Sequence, residues 1–164
     1  MRRAGLGTAG ALALLGLGLV SACGRGDADR ERRIAAAGAD PRPADWLRVS
    51  DPASGERLFH RCASCHAART GAPDRNGPNL HGVLGRPLGR VSPSFSYSYA
   101  LRTASGQWTA ARLDRWLAGP QAVVPGTSMP DPGLRDPLDR ADVIAFLCGL
   151  DPVDGPANGC PVRR

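Results

Sequence analysis

The chain has 164 residues and is 42% hydrophobic but only 5% aromatic, with 21 glycines and 15 prolines. That length holds one domain with extensions, and so few aromatics exclude a thick self-sufficient core; an interior completed by a bound apolar group fits the composition. The formal net charge is +6, all 21 basic residues are arginine, and no basic run is interleaved with aromatics, so nucleic-acid binding is not indicated, whereas a positive surface would steer encounters with acidic protein partners.

Arg2 and Arg3 begin a basic start, followed by a small and apolar run densest from Ala9 to Val20. The run is short for a membrane span and has the proportions of an export-signal core. It ends in Val20-Ser21-Ala22-Cys23, which resembles a bacterial lipobox. On that reading residues 1–22 are a lipoprotein signal peptide and Cys23 becomes the lipid-modified N-terminus, facing the periplasm from a membrane. Ordinary cleavage, or an uncleaved anchor, is the alternative. Residues 24–49 are rich in Arg, Asp, Ala, Gly and Pro and carry little apolar content before Trp46. They read as a flexible tether, about 25 residues with an r.m.s. reach of about 25–30 Å. Trp46 and Leu47 are candidates to dock on the domain.

Asp51-Pro52 predicts a helix start, and Gly55, Leu58, Phe59 and Cys62 recur at helical spacing. The helix leads into Cys62-Ala63-Ser64-Cys65-His66, the C-x-x-C-H pattern of covalent c-type haem attachment. Two thiols one turn apart can add to two vinyl groups on one side of a porphyrin, and the next residue offers imidazole nitrogen to the iron. Half of a zinc site and a redox dithiol are the rival readings. Zinc needs about four ligands and no second close Cys/His pair is present; a dithiol has no use for the histidine.

Downstream, Asn76-Gly77-Pro78-Asn79-Leu80-His81-Gly82-Val83-Leu84-Gly85-Arg86, then Phe95-Ser96-Tyr97 and Trp108-Thr109, resemble the mitochondrial-like branch of the class I cytochromes c over about residues 51–150. The resemblance implies an all-α fold: three main helices and long loops wrapped around one covalently bound haem. It implies that the Pro78 carbonyl meets the proximal imidazole, fixing the ring and raising its basicity, and that Arg86, Tyr97 and Trp108 lie near a haem propionate. Leu101 stands near a position where the family often has asparagine beside an internal water, which implies a drier pocket.

Thr109 can cap a helix over about Ala110–Ala118 with Leu113, Trp116 and Leu117 on one face, stopped by Gly119-Pro120. Pro125-Gly126-Thr127-Ser128-Met129 follows and resembles the family segment that delivers the sixth, thioether ligand. Met129 is the one methionine besides Met1. By the same resemblance Thr127 supports that loop or a propionate, and Trp116 takes the place of a tyrosine near the methionine sulfur. A last helix is expected over Asp139–Leu150, with Phe146 crossing near Gly55 and Phe59.

Cys148 and Cys160 lie outside the haem motif. In an oxidising compartment a disulfide between them would pin the tail, residues 151–164, to the helix end; two free thiols are the alternative. The expected molecule is a monomeric, non-enzymatic, lipid-tethered one-electron carrier in the cell envelope, with His66 and Met129 as axial ligands and Cys62 and Cys65 holding the haem. A cytochrome bc complex, a terminal oxidase or a periplasmic dehydrogenase are the expected redox partners. A dedicated subunit of one oxidoreductase complex is the alternative.

Overall fold

The computed structural model describes residues 21–150 and residue 160; the chain divides into a unit of residues 1–32 and a larger one of residues 33–164. The export signal at residues 1–22 and the tail at 151–164 therefore lie outside the described residues, apart from Ser21, Ala22 and Cys160. Seven helices are described: α1 (Ser21–Ala37), α2 (Pro43–Arg48), α3 (Pro52–Phe59), α4 (Tyr99–Thr103), α5 (Ala110–Ala118), α6 (Pro120–Val123) and α7 (Pro137–Gly149). Among the described residues there is no strand, only one isolated antiparallel bridge between Pro87 and Gln107, and no helix is long and apolar enough to cross a membrane.

The three main helices begin on side-chain caps, which satisfy amide N–H groups that lack an intrahelical acceptor. Asp51 accepts from Ala53 N and Ser54 N ahead of α3, and Thr109 accepts from Arg112 N ahead of α5. Asp136 accepts from Leu138 N and Asp139 N ahead of α7. The expected start of the last helix at Asp139 is therefore two residues late: Asp136-Pro137 repeats the cap-then-proline pattern of Asp51-Pro52. Gly119 ends α5 as expected, but Pro120 opens the short α6 directly behind it.

α3 and α7 cross at Gly55. A Cβ there would lie 1.9 Å from the Asp142 carbonyl oxygen and 2.9 Å from Phe146 Cβ. The absent side chain lets the backbones touch, and the Phe59 and Phe146 rings then pack at 5.3 Å. Val143, Ile144 and Leu147 of α7 are buried and join Leu113, Trp116 and Leu117 of α5 in one core. Arg140 of α7 donates through Nε to Asp114 of α5 at 2.7 Å, both largely buried. Cys148 and Cys160 form a disulfide, which joins residue 160 to the end of α7.

The segment expected to be a flexible linker is largely helical. Residues 30–37 are rich in good helix formers, Pro43 occupies the first turn of α2, and Asp45 accepts from Arg42 N. From Arg33 on, the segment belongs to the larger unit. Leu47 is buried in the core and Trp46 packs against it, as their apolar character suggested. The flexible-linker reading gives way there because Arg33 has a buried partner, Asp142, which composition does not reveal.

Candidate functional site

α3 delivers the chain into the attachment motif without a break. Cys62 N and Ala63 N both donate to Phe59 O, and Cys65 N and His66 N both donate to Cys62 O. This tight winding brings the two cysteines and His66 to one cavity of about 430 Å³. Cys62 and Cys65 are unbridged, and burial pushes the Cys62 thiol pKa up.

The loop after the motif fixes the imidazole. His66 Nδ1 lies 2.8 Å from Pro78 O. Since a carbonyl only accepts, Nδ1 carries the proton and donates, which leaves the Nε2 lone pair for a metal. Burial pushes the His66 pKa down, against the opposite pull of that carbonyl, so the neutral, ligating ring is favoured. Gly77 N donates to Cys65 O at 2.8 Å, and a Cβ at Gly77 would come within 2.4 Å of the ring at Cε1. Gly77 is thus part of the site, a role that its place in a common turn sequence did not single out. Asn79 Nδ2 donates to Arg69 O and Ala72 O, and Asp74 accepts from Asn79 N, Ser92 Oγ and Ser94 Oγ. Together they hold this loop to the next.

Tyr97 and Trp108 line the same cavity and are buried. The Tyr97 hydroxyl accepts from Ser92 N at 2.9 Å, and burial pushes its pKa up, so it stays a neutral phenol with its proton free to donate. Arg86 is not brought there: it is exposed and absent from the cavity wall. The loop around it is pinned through backbone, with Trp108 N donating to Arg86 O and Gly85 N to Trp108 O. Leu101 is buried and on the wall, an apolar side chain where a water-binding amide would otherwise stand.

α5 and α6 carry the methionine loop. Trp116 Nε1–H donates to Met129 Sδ at 2.9 Å, and the Trp116 and Trp108 rings pack edge to face at 5.0 Å. Thr127 is buried, lines the cavity, and its Oγ1 accepts from Met129 N at 3.4 Å. Gln121 of α6 closes the loop by donating to Thr127 O at 2.7 Å and accepting from Gly126 N at 3.0 Å. Sequence reading missed Gln121, which is an ordinary exposed amide by composition. Met129 reaches the same cavity as His66, Cys62 and Cys65.

These residues fit a covalent haem: two buried-edge thiols, an oriented imidazole, a thioether and an apolar wall with buried polar donors. Among the described residues no cluster of three His, Cys, Asp or Glu side chains that could hold a metal ion is present, so the zinc reading of Cys62 and Cys65 has no ligand set. The chain is 45% identical over 104 residues to cytochrome c2 of Rhodomicrobium vannielii, covering 63% of this chain and 82% of that one. It is 42% identical over 104 residues to cytochrome c of Nigella damascena, covering 63% of this chain and 93% of the other. No family model matches the chain. The chain belongs to the class I c-type cytochromes.

Among solved structures, cytochrome cH from Methylobacterium extorquens superposes with a TM-score of 0.57 at 38% identity, covering 61% of this chain and 99% of that one. This cytochrome is an electron-transfer protein, not an enzyme, and its cofactor is one covalently attached haem c. Cys23, the expected lipidation site, falls in the first turn of α1, outside the stretch that forms the site.

Proposed function

We propose that this cytochrome is a lipid-tethered one-electron carrier of the cell envelope. Met129 carries the electron-carrier part of the reading, because it reaches the same cavity as His66 and would close the coordination that an oxygen-binding or catalytic haem leaves open. When bound, haem c supplies a reversible one-electron couple, raised in potential by a soft thioether ligand. The protein's residues keep that couple's surroundings still. Pro78 and Gly77 hold the His66 ring in one orientation, while Thr127, Gln121 and Trp116 hold Met129. Leu101, Leu113 and Leu117 exclude water from the same cavity. Little has to move on electron transfer, which suits brief encounters with a cytochrome bc complex, a terminal oxidase or a periplasmic dehydrogenase.

The Val20-Ser21-Ala22-Cys23 sequence supports the tether and the periplasm-facing location. The test is fractionation of the native protein and of Cys23→Ser, with mass analysis of the N-terminal peptide. The reading expects a diacyl-modified Cys23 and membrane association that Cys23→Ser abolishes. Membrane association that survives Cys23→Ser, or an unmodified cysteine, overturns it.

A further inference from the structure

Arg33 lies upstream of the haem domain as the resemblance bounds it, yet it is built into the main helix crossing. Its Nη2 donates to Asp142 Oδ1 on α7, and its Nε donates to Val49 O at 2.9 Å. The side chains are 14% and 1% exposed. The same Asp142 oxygen accepts from the backbone N–H of Asp51, the cap of α3, at 2.8 Å. One carboxylate thus gathers α1, the start of α3 and α7, on the same residue whose backbone carbonyl meets Gly55. Arg48 of α2 returns to Ala36 O at 3.0 Å, and Ala37 and Leu47 are buried. No residue from 33 to 58 lines the haem cavity.

We propose that residues 33–50 are a built-in strap: Arg33, locked to Asp142, fixes where the chain leaves the haem domain, at the α3–α7 crossing and off the walls of the haem cavity. The proposal rests on the lipid-tether reading, and it sets the exit of the chain among residues that do not line the haem cavity. It also shortens the leash. Counting from Cys23, only about ten residues precede the lock, an r.m.s. reach of about 16–19 Å as flexible chain or about 15 Å as helix. A buried ion pair is a poor source of net stability but a good device for fixing one arrangement, because removing either partner strands a buried charge.

The test is backbone hydrogen exchange of full-length, haem-loaded protein, read over peptides within residues 36–48. The strap predicts protection in the native protein, and at least tenfold faster exchange in Arg33→Gln, with α5 peptides and the haem spectrum unchanged. Asp142→Asn, which keeps an oxygen for the Asp51 N–H, is expected to loosen the same peptides, and the double variant no more than the worse single one. Exchange at unstructured-chain rates in the native protein, or an Arg33→Gln profile equal to native, overturns the proposal. The Cys23→Ser protein separates the two readings: the strap predicts unchanged protection at 36–48 whether or not a lipid is attached.

Discussion

The Met129 sulfur accepts a hydrogen bond from the Trp116 indole, so as a haem ligand it would share its electron density between that donor dipole and the iron. A dipole that withdraws density from sulfur disfavours the ferric state. Trp116→Phe removes the N–H and keeps an aromatic in the core; it is expected to lower the reduction potential by about 20–65 mV, the equivalent of a hydrogen bond of about 0.5–1.5 kcal/mol felt in one oxidation state. Redox titration against the native protein checks this, and an unchanged potential means that the indole is only packing. Asp142 offers a pH prediction. Burial pushes its carboxyl up to about 6 from an ordinary 3.8, although the Asp51 N–H and the Arg33 guanidinium pull it down. The folded form then binds this proton more tightly than the unfolded chain does. Its contribution to stability is full below about 4 and is lost as pH rises through about 6. Denaturant unfolding at pH 4.5 and 6.5 is expected to show a smaller decline with pH for Asp142→Asn than for the native protein.

At the scale of elements, the α3–α7 crossing is the joint that brings the haem-attachment motif against the core. With the Asp142 carbonyl 1.9 Å from a Cβ at Gly55, Gly55→Ala must push two helices apart. Overpacking of this kind costs about 1–3 kcal/mol, more than the gain in helix propensity of about 1 kcal/mol, so thermal unfolding is expected at lower temperature. An Ala variant as stable as the native protein would mean that the helices slide without cost. This joint was legible in advance through the resemblance to class I cytochromes c, which implied that Phe146 of the last helix crosses near Gly55 and Phe59. The caps at Asp51 and Thr109 were legible because their chemistry is local. Arg33 and Gln121 were not. Arg33 sits on a helix without an apolar stripe and its partner is 109 residues away; a charge satisfied at that distance looks like a solvated one. Gln121 acts through backbone groups of a loop whose path only the fold defines.

The larger unit is a haem cavity closed by loops and braced at two points, Arg33 with Asp142 and Cys148 with Cys160. The disulfide spans a sequence separation of 12, and a loop that size contributes about 3 kcal/mol in the chain-entropy model. Cys148→Ser with Cys160→Ser is expected to lower the denaturant midpoint by a corresponding amount while leaving the haem spectrum intact, because neither cysteine lines the cavity. A changed spectrum would mean that the disulfide shapes the haem's surroundings.

His66 and Met129 would together fill both axial positions of the haem iron, as a protein that carries electrons requires. The absorption spectrum of the purified, haem-loaded protein tests this most directly. A low-spin c-type spectrum with the weak ferric methionine-to-iron charge-transfer band, lost in Met129→Ala, is the predicted result. A native spectrum without that band, together with rapid carbon monoxide binding to the ferrous form, would contradict it.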